Sequence, residues 1–235
     1  MVIKMANPVF NINYPQLSIA ESKHVFPVRR IYCVGQNYTA HTIEMGGDPT
    51  RDAPFFFSKP ADAVCQAANI PWPSRTSNLH YEVELVVAIG KTGVNMTLDQ
   101  ANQAIYAYAV GVDLTRRDLQ KKAKEQGRPW DTAKGFDCSA PVGQLLLAEN
   151  WHPEKDKIIN ILVNGEERQS SCLDKLIWTV PELIKELSTY YTLQPGDLIF
   201  TGTPSGVGPI SRGDVILAMV NGLPDLSFTL GEKEL

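Results

Sequence analysis

The stretch Tyr81-Glu82-Val83-Glu84-Leu85-Val86-Val87-Ala88-Ile89 constrains the fold of this chain more than any other segment. Every residue after Glu84 is apolar, so an extended backbone here presents apolar side chains on both of its faces. Such a strand is stable only inside a sheet, covered from above and below. Residues two apart share a face, which groups Glu82 and Glu84 with Val86 and Ala88, and sets Val83, Leu85 and Val87 on the other side. The two glutamate backbones then stand about 6.5–7 Å apart. Like charges that close at the edge of a core repel, and each resists ionisation. A divalent cation between the carboxylates removes the conflict, and Mg²⁺, Mn²⁺ and Ca²⁺ all favour such oxygen ligands. Spacing alone leaves a second reading equally open, a glutamate pair at a solvated strand mouth. His80 shares the face, but a hard cation has little use for imidazole, so a structural role is expected for it.

Other segments read as strands too. They are Arg30 to Val34, Leu85 to Ile89, Ala107 to Asp113, Ile158 to Val163, Asp197 to Thr201 and Val215 to Asn221. Asn164-Gly165 favours a type I′ turn, so residues 166–170 should return antiparallel. Thr97-x-x-Gln100 is a capping box, opening a helix expected to place Ala101, Ala104, Ile105 and Tyr108 on one face. Thr179-x-x-Glu182, with Pro181 in its first turn, opens another through Leu183, Ile184 and Leu187. A short third helix is expected from about Thr39. Strands outnumber helices and do not alternate with them. The expected fold is therefore a β-rich α+β domain on a mixed, rolled β-sheet. Residues 1–24 read as an N-terminal arm and 25–235 as a single catalytic domain.

Charge and cysteine content exclude several classes. A net charge of −4 leaves no basic surplus to neutralise a phosphate backbone, so no nucleic-acid partner is expected. Lys and Arg do cluster from Arg116 to Arg128, which reads as a solvated segment with one or two cations turned towards a small anion. Met1 to Ser18 lacks the apolar core of a secretory signal, and no run reaches the roughly 18–20 apolar residues of a membrane span. Cys33, Cys65, Cys138 and Cys172 are widely spaced and read as reduced thiols in a cytoplasmic protein.

Asp113 adds a third carboxylate where an apolar run gives way to the polar Leu-Thr-Arg-Arg-Asp-Leu-Gln120. Three carboxylates around one divalent ion leave a surplus negative charge, which Lys134 is a candidate to offset. His41 and Glu44 are three apart, a spacing that puts both on one helical face. By itself such a pair is usually a solvated surface.

Taken together, several motifs resemble the fumarylacetoacetate hydrolase family. They are Val34-Gly-Gln-Asn-Tyr38 with His41 and Glu44, Phe55-Phe-Phe-Ser-Lys-Pro60, and Leu79-His-Tyr-Glu-Val-Glu-Leu85. Gly111 to Gln120, Lys134-Gly-Phe-Asp137, Val163 to Gln169 and Gly196 to Gly208 follow in the same order. The resemblance implies that Glu82, Glu84 and Asp113 ligate Mg²⁺, with Mn²⁺ or Ca²⁺ as alternatives. It implies substrate-contacting roles for Arg117, Gln120 and Lys134, and that Thr203 holds a substrate carboxylate. It makes His41 and Glu44 a catalytic dyad on a lid spanning residues 39–52. No fourth protein ligand is assigned. The implied reaction is hydrolysis of a carbon–carbon bond in a small 2,4-diketo acid such as fumarylpyruvate, by a homodimer. Acylpyruvate hydrolysis and, as the chief rival, oxaloacetate decarboxylation on the same residues are the alternatives, ahead of a non-catalytic oxo-acid binder.

Overall fold

The structure, a computed structural model, describes residues 9–10, 13–39 and 53–234. Two mixed sheets organise it. The six-stranded sheet runs in the order β7 (Leu146–Leu147), β6 (Ile105–Val112), β5 (Val83–Ile89), β10 (Asp197–Phe200), β1 (Arg30–Gly35) and β2 (Phe55–Lys59). β10 and β1 are parallel, while β5 is antiparallel to both of its neighbours. The five-stranded sheet is ordered β9 (Glu166–Cys172), β8 (Ile158–Val163), β11 (Val215–Val220), β12 (Leu226–Glu234) and β3 (Asn69–Trp72).

The strand inferred from the glutamate run is central, and all seven residues of β5 are buried. Its two faces enter different cores, with the parity that alternation requires. Val83, Leu85 and Val87 pack in one cluster with Ile159 and Ile161 of β8, Ile216 of β11 and Phe228 of β12. Val86 and Ala88 join Ile31, Cys33, Leu198 and Phe200 in the other, which Leu17, Phe26 and Val28 help to cover. Burying each large aliphatic side chain contributes about 1.5–3 kcal/mol, so this double-sided strand is a principal source of stability.

Local signals act as expected at several points. Asn164 and Gly165 adopt φ of 53° and 82°, closing the hairpin between β8 and β9. Helix α4 (Val180–Tyr190) opens where the Glu182 carboxylate accepts from the backbone N–H and hydroxyl of Thr179. Leu183, Ile184 and Leu187 of α4 enter the larger core.

One expectation is corrected. The Thr97–Gln100 capping box is formed, but helix α1 is only Leu98–Gln103, and Ile105 and Tyr108 belong to β6. The helical spacing of Ala101, Ala104, Ile105 and Tyr108 straddles the join of two elements. Pairing of β6 with β5 overrides it. The basic stretch after Asp113 folds into two further helices, α2 (Arg117–Glu125) and α3 (Asp131–Lys134), lying near the end of the six-stranded sheet that carries the glutamates.

Candidate active site

The antiparallel pairing of β5 with β6 carries three carboxylates to one end of the sheet. Glu82 occupies the break between β4 (Leu79–Tyr81) and β5, and Asp113 directly follows β6. The register sets Val83 opposite Val112 and Glu84 opposite Gly111, and the Asp113 N–H donates to the Glu82 carbonyl at 2.8 Å. Glu82, Glu84 and Asp113 are all buried, and each offers an oxygen within 4.8 Å of the others. The solvated strand mouth, left open by spacing alone, is thereby excluded.

Three cations surround this cluster. Lys134, at the end of α3, donates to Glu82 Oε2 at 2.8 Å, Asp113 Oδ2 at 2.7 Å and Thr115 Oγ1 at 2.6 Å. Burial alone would lower its pKa, but Asp113 and Glu82 outweigh that and raise it, so the ammonium stays charged. Arg117, the first residue of α2, donates to Glu82 Oε1 and to Gln120 Oε1. Its Nε also faces His80 Nδ1 at 3.4 Å. Burial and the Arg117 charge push the His80 pKa down to about 4, so the neutral ring accepts from the guanidinium. The structural role expected of His80 is to seat Arg117.

Sequence reasoning gave no role to the third cation, Lys59. Its fully buried ammonium lies 2.8 Å from Asp113 Oδ1 and donates to the carbonyls of Leu114, Ser139 and Lys134. A lysine ending the aromatic strand Phe55–Lys59 was the available signal, since a charge inside such a strand needs a buried partner.

Glu84 differs from the other two acids. Its Oε2 accepts from the Gly202 N–H at 2.6 Å, and no ammonium or guanidinium pairs with it among the described residues. Burial first, then Asp113 and Glu82, raise its pKa well above the usual carboxylate range. The donor set therefore fits a divalent cation: three convergent carboxylates, one of them buried without a counter-charge. Lys134 stands where the expected surplus of negative charge needs offsetting, and Lys59 and Arg117 add two further cations, all three paired with Glu82 or Asp113. A divalent ion makes the site net positive, which suits an anionic oxo acid.

Gly202 and Thr203 close the site from the loop after β10. Gly202 has φ of 98°, and a Cβ there would stand 2.8 Å from that of Asn37. Asn37 fixes the loop by donating to the Thr201 carbonyl at 2.8 Å and to the Trp178 carbonyl at 3.0 Å. Gln169 of β9 donates to Thr203 Oγ1 at 2.8 Å and to the Pro204 carbonyl at 2.7 Å, and accepts from the Val83 N–H at 3.0 Å. The second sheet thus holds the threonine against the carboxylate strand.

A cleft that opens to solvent lies over the carboxylates. Glu82, Glu84, Arg117, Gln120, Lys134 and Thr203 form its inner part, and Phe55, Phe57, Trp130 and Lys124 also face it. Trp130 and the two phenylalanines had no assigned role in the sequence. His41 and Glu44, with the rest of the expected lid over 40–52, lie outside the described residues.

A family model described as fumarylacetoacetate (FAA) hydrolase C-terminal matches residues 30–230. A fumarylpyruvate hydrolase from a Ralstonia species is 48% identical over 188 residues, covering 80% of this chain and 97% of that protein. An oxaloacetate tautomerase of Escherichia coli is 39% identical over 199 residues, covering 84% of this chain and 90% of the relative. Among solved structures, fumarylpyruvate hydrolase from Pseudomonas aeruginosa in complex with Mn²⁺ and pyruvate superimposes with a TM-score of 0.93. It is 48% identical and covers 96% of this chain and 99% of that one.

Proposed function

The chain belongs to the fumarylacetoacetate hydrolase family, and we propose that it is a metal-dependent hydrolase cutting fumarylpyruvate with water into fumarate and pyruvate. The observation that carries this reading is the buried convergence of Glu82, Glu84 and Asp113 at the inner end of a cationic cleft, in a chain 48% identical to a fumarylpyruvate hydrolase.

Glu82, Glu84 and Asp113 hold the ion, Mg²⁺ or Mn²⁺, which when bound supplies Lewis acidity towards the oxygens of the 2-oxo acid. Lys134 and Arg117 set fixed positive charge beside the C1 carboxylate and C2 oxygen, where charge develops as the bond breaks. Gln120 and Thr203 orient the same end of the substrate. Glu44 orients His41, and His41 takes a proton from the attacking water, a role typically worth about 10²–10⁴-fold in rate. Hydroxide adds at C4 and the C3–C4 bond breaks. The bonding electrons pass to the pyruvate fragment as its enolate, which is protonated at C3, and fumarate leaves.

Finer parts of the proposal rest on the family resemblance. They are Mg²⁺ as the working ion, a homodimer, a cytoplasmic location and a place in gentisate-type aromatic breakdown. No helix among the described residues is long and apolar enough to cross a membrane. A second reading, decarboxylation of oxaloacetate, is favoured by the 37% identity to an oxaloacetate decarboxylase of Dictyostelium discoideum. Both reactions generate a pyruvate enolate beside the same residues.

The test is the ultraviolet decay of enolised fumarylpyruvate, followed with Mg²⁺ and again with EDTA. Metal-dependent decay to fumarate and pyruvate is the expected result. Intact fumarylpyruvate alongside carbon dioxide release from oxaloacetate would transfer the protein to the decarboxylases.

A further inference from the structure

Beyond the carboxylates the cleft has a second charged end. Arg117, Gln120 and Lys124 all face it from α2, and their spacings of three and four residues stack them on one side of the helix. A rise of 1.5 Å per residue puts the Lys124 backbone about 10 Å along the axis from that of Arg117. The two cations are differently engaged. Arg117 is bound to Glu82 and Gln120, whereas Lys124 is exposed and has no carboxylate partner among the described residues.

Aromatic rings also line the cleft. Trp130 stands edge-on to Phe55 and to Phe57, with ring centroids 5.6 Å apart in each case. Exposure grows across the lining from buried Glu84 and Lys134, through half-buried Phe57 and Trp130, to exposed Phe55 and Lys124. Fixed positive charge therefore lies at the inner end, and flat apolar surfaces and a second positive charge lie further out. That order matches a rod-shaped ligand with an acid at each end and a planar, unsaturated middle. The seven carbons of fumarylpyruvate span about 7 Å between the carboxyl carbons, and the six of 2-oxoadipate about 6 Å, at the roughly 1.2 Å per bond of an extended chain. The long arms of Arg117 and Lys124 cover the remaining distance.

We propose that Lys124 forms a subsite for the far carboxylate of the substrate, making the enzyme selective for 2-oxo dicarboxylates over oxo acids with an uncharged tail. The proposal rests on reading the inner site as an oxo-acid site, and its test is a binding measurement that needs no turnover. With Mn²⁺ present, calorimetry compares 2-oxoadipate with 2-oxohexanoate, which lacks the far carboxylate. Wild type is expected to prefer the diacid by roughly tenfold, the size of one charge-assisted hydrogen bond at a partly exposed site. Lys124→Gln removes the preference by weakening the diacid alone, and Lys124→Arg restores it. Lys122→Gln, the same change of charge on another side of the helix, leaves it intact. Equal binding of the two acids by wild type, or equal weakening of both in Lys124→Gln, overturns the proposal. If fumarylpyruvate is not hydrolysed while the preference persists, the proposed reaction fails and the subsite stands.

Discussion

At the scale of single residues, the site is an arrangement of charges whose members depend on one another. Lys59 shows this most clearly, because it does not itself line the cleft yet holds Asp113 Oδ1 and the carbonyl of Lys134. Replacing it by Met should cost about 3–5 kcal/mol, the usual penalty for stripping a buried charge of its partner. Urea denaturation measures that loss. An unchanged midpoint would mean that Asp113 is balanced by Lys134 alone. The paired glutamates and Asp113 were legible in the sequence because carboxylates beside apolar runs conflict with burial. Lys59 was not, because one lysine at a strand end is ordinary until its surroundings are known. Trp130 was equally silent, since an aromatic residue in a cleft wall and one in a core look alike in sequence.

At the scale of elements, capping chemistry and the Asn-Gly turn were readable because they depend on neighbours in the chain. The end of α1 was not readable, because pairing between β6 and β5 decides it. Nor was the helical form of α2, whose Lys and Arg residues obscure a short apolar face. The loop after β10 also depends on distant partners, since its Gly202 must fit against Asn37 to present an N–H to Glu84. Gly202→Ala combines a strained positive φ with a close contact to the Asn37 Cβ and should destabilise the protein by roughly 1–3 kcal/mol. It should also weaken Mn²⁺ binding about tenfold or more by displacing that N–H, as titration followed by electron paramagnetic resonance can measure. Undiminished affinity would show that Glu84 is oriented by β5 alone.

At the scale of the whole molecule, the proposed metal ligands sit in or directly beside strands of the larger sheet, so binding the ion and folding would be linked. An ion that binds only the folded protein stabilises it by about 2.7 kcal/mol at a hundredfold excess over Kd. For a chain of this size that raises Tm by about 5–11 °C, at roughly 2–4 °C per kcal/mol. EDTA should abolish the rise in a calorimetric scan. The sign of its pH dependence follows from Glu84, whose pKa is raised by burial and by Asp113 and Glu82. Protons compete with the ion below that raised pKa, so the metal-dependent rise should shrink as pH falls, starting above the usual carboxylate range. A rise independent of pH would place the ion elsewhere.

The order of the strands has a consequence for the time course of synthesis. Lys59, Glu82, Glu84, Asp113 and Lys134 are all made before β10, which pairs with β1 and β5 and leads into Gly202 and Thr203. At roughly 5–20 residues per second, about 5–20 s separate the emergence of Asp113 from that of Thr203. A growing chain therefore carries all three proposed metal ligands before Gly202 and Thr203 are in place. An ion captured early would be waiting in the nascent protein when the catalytic cleft closes around it.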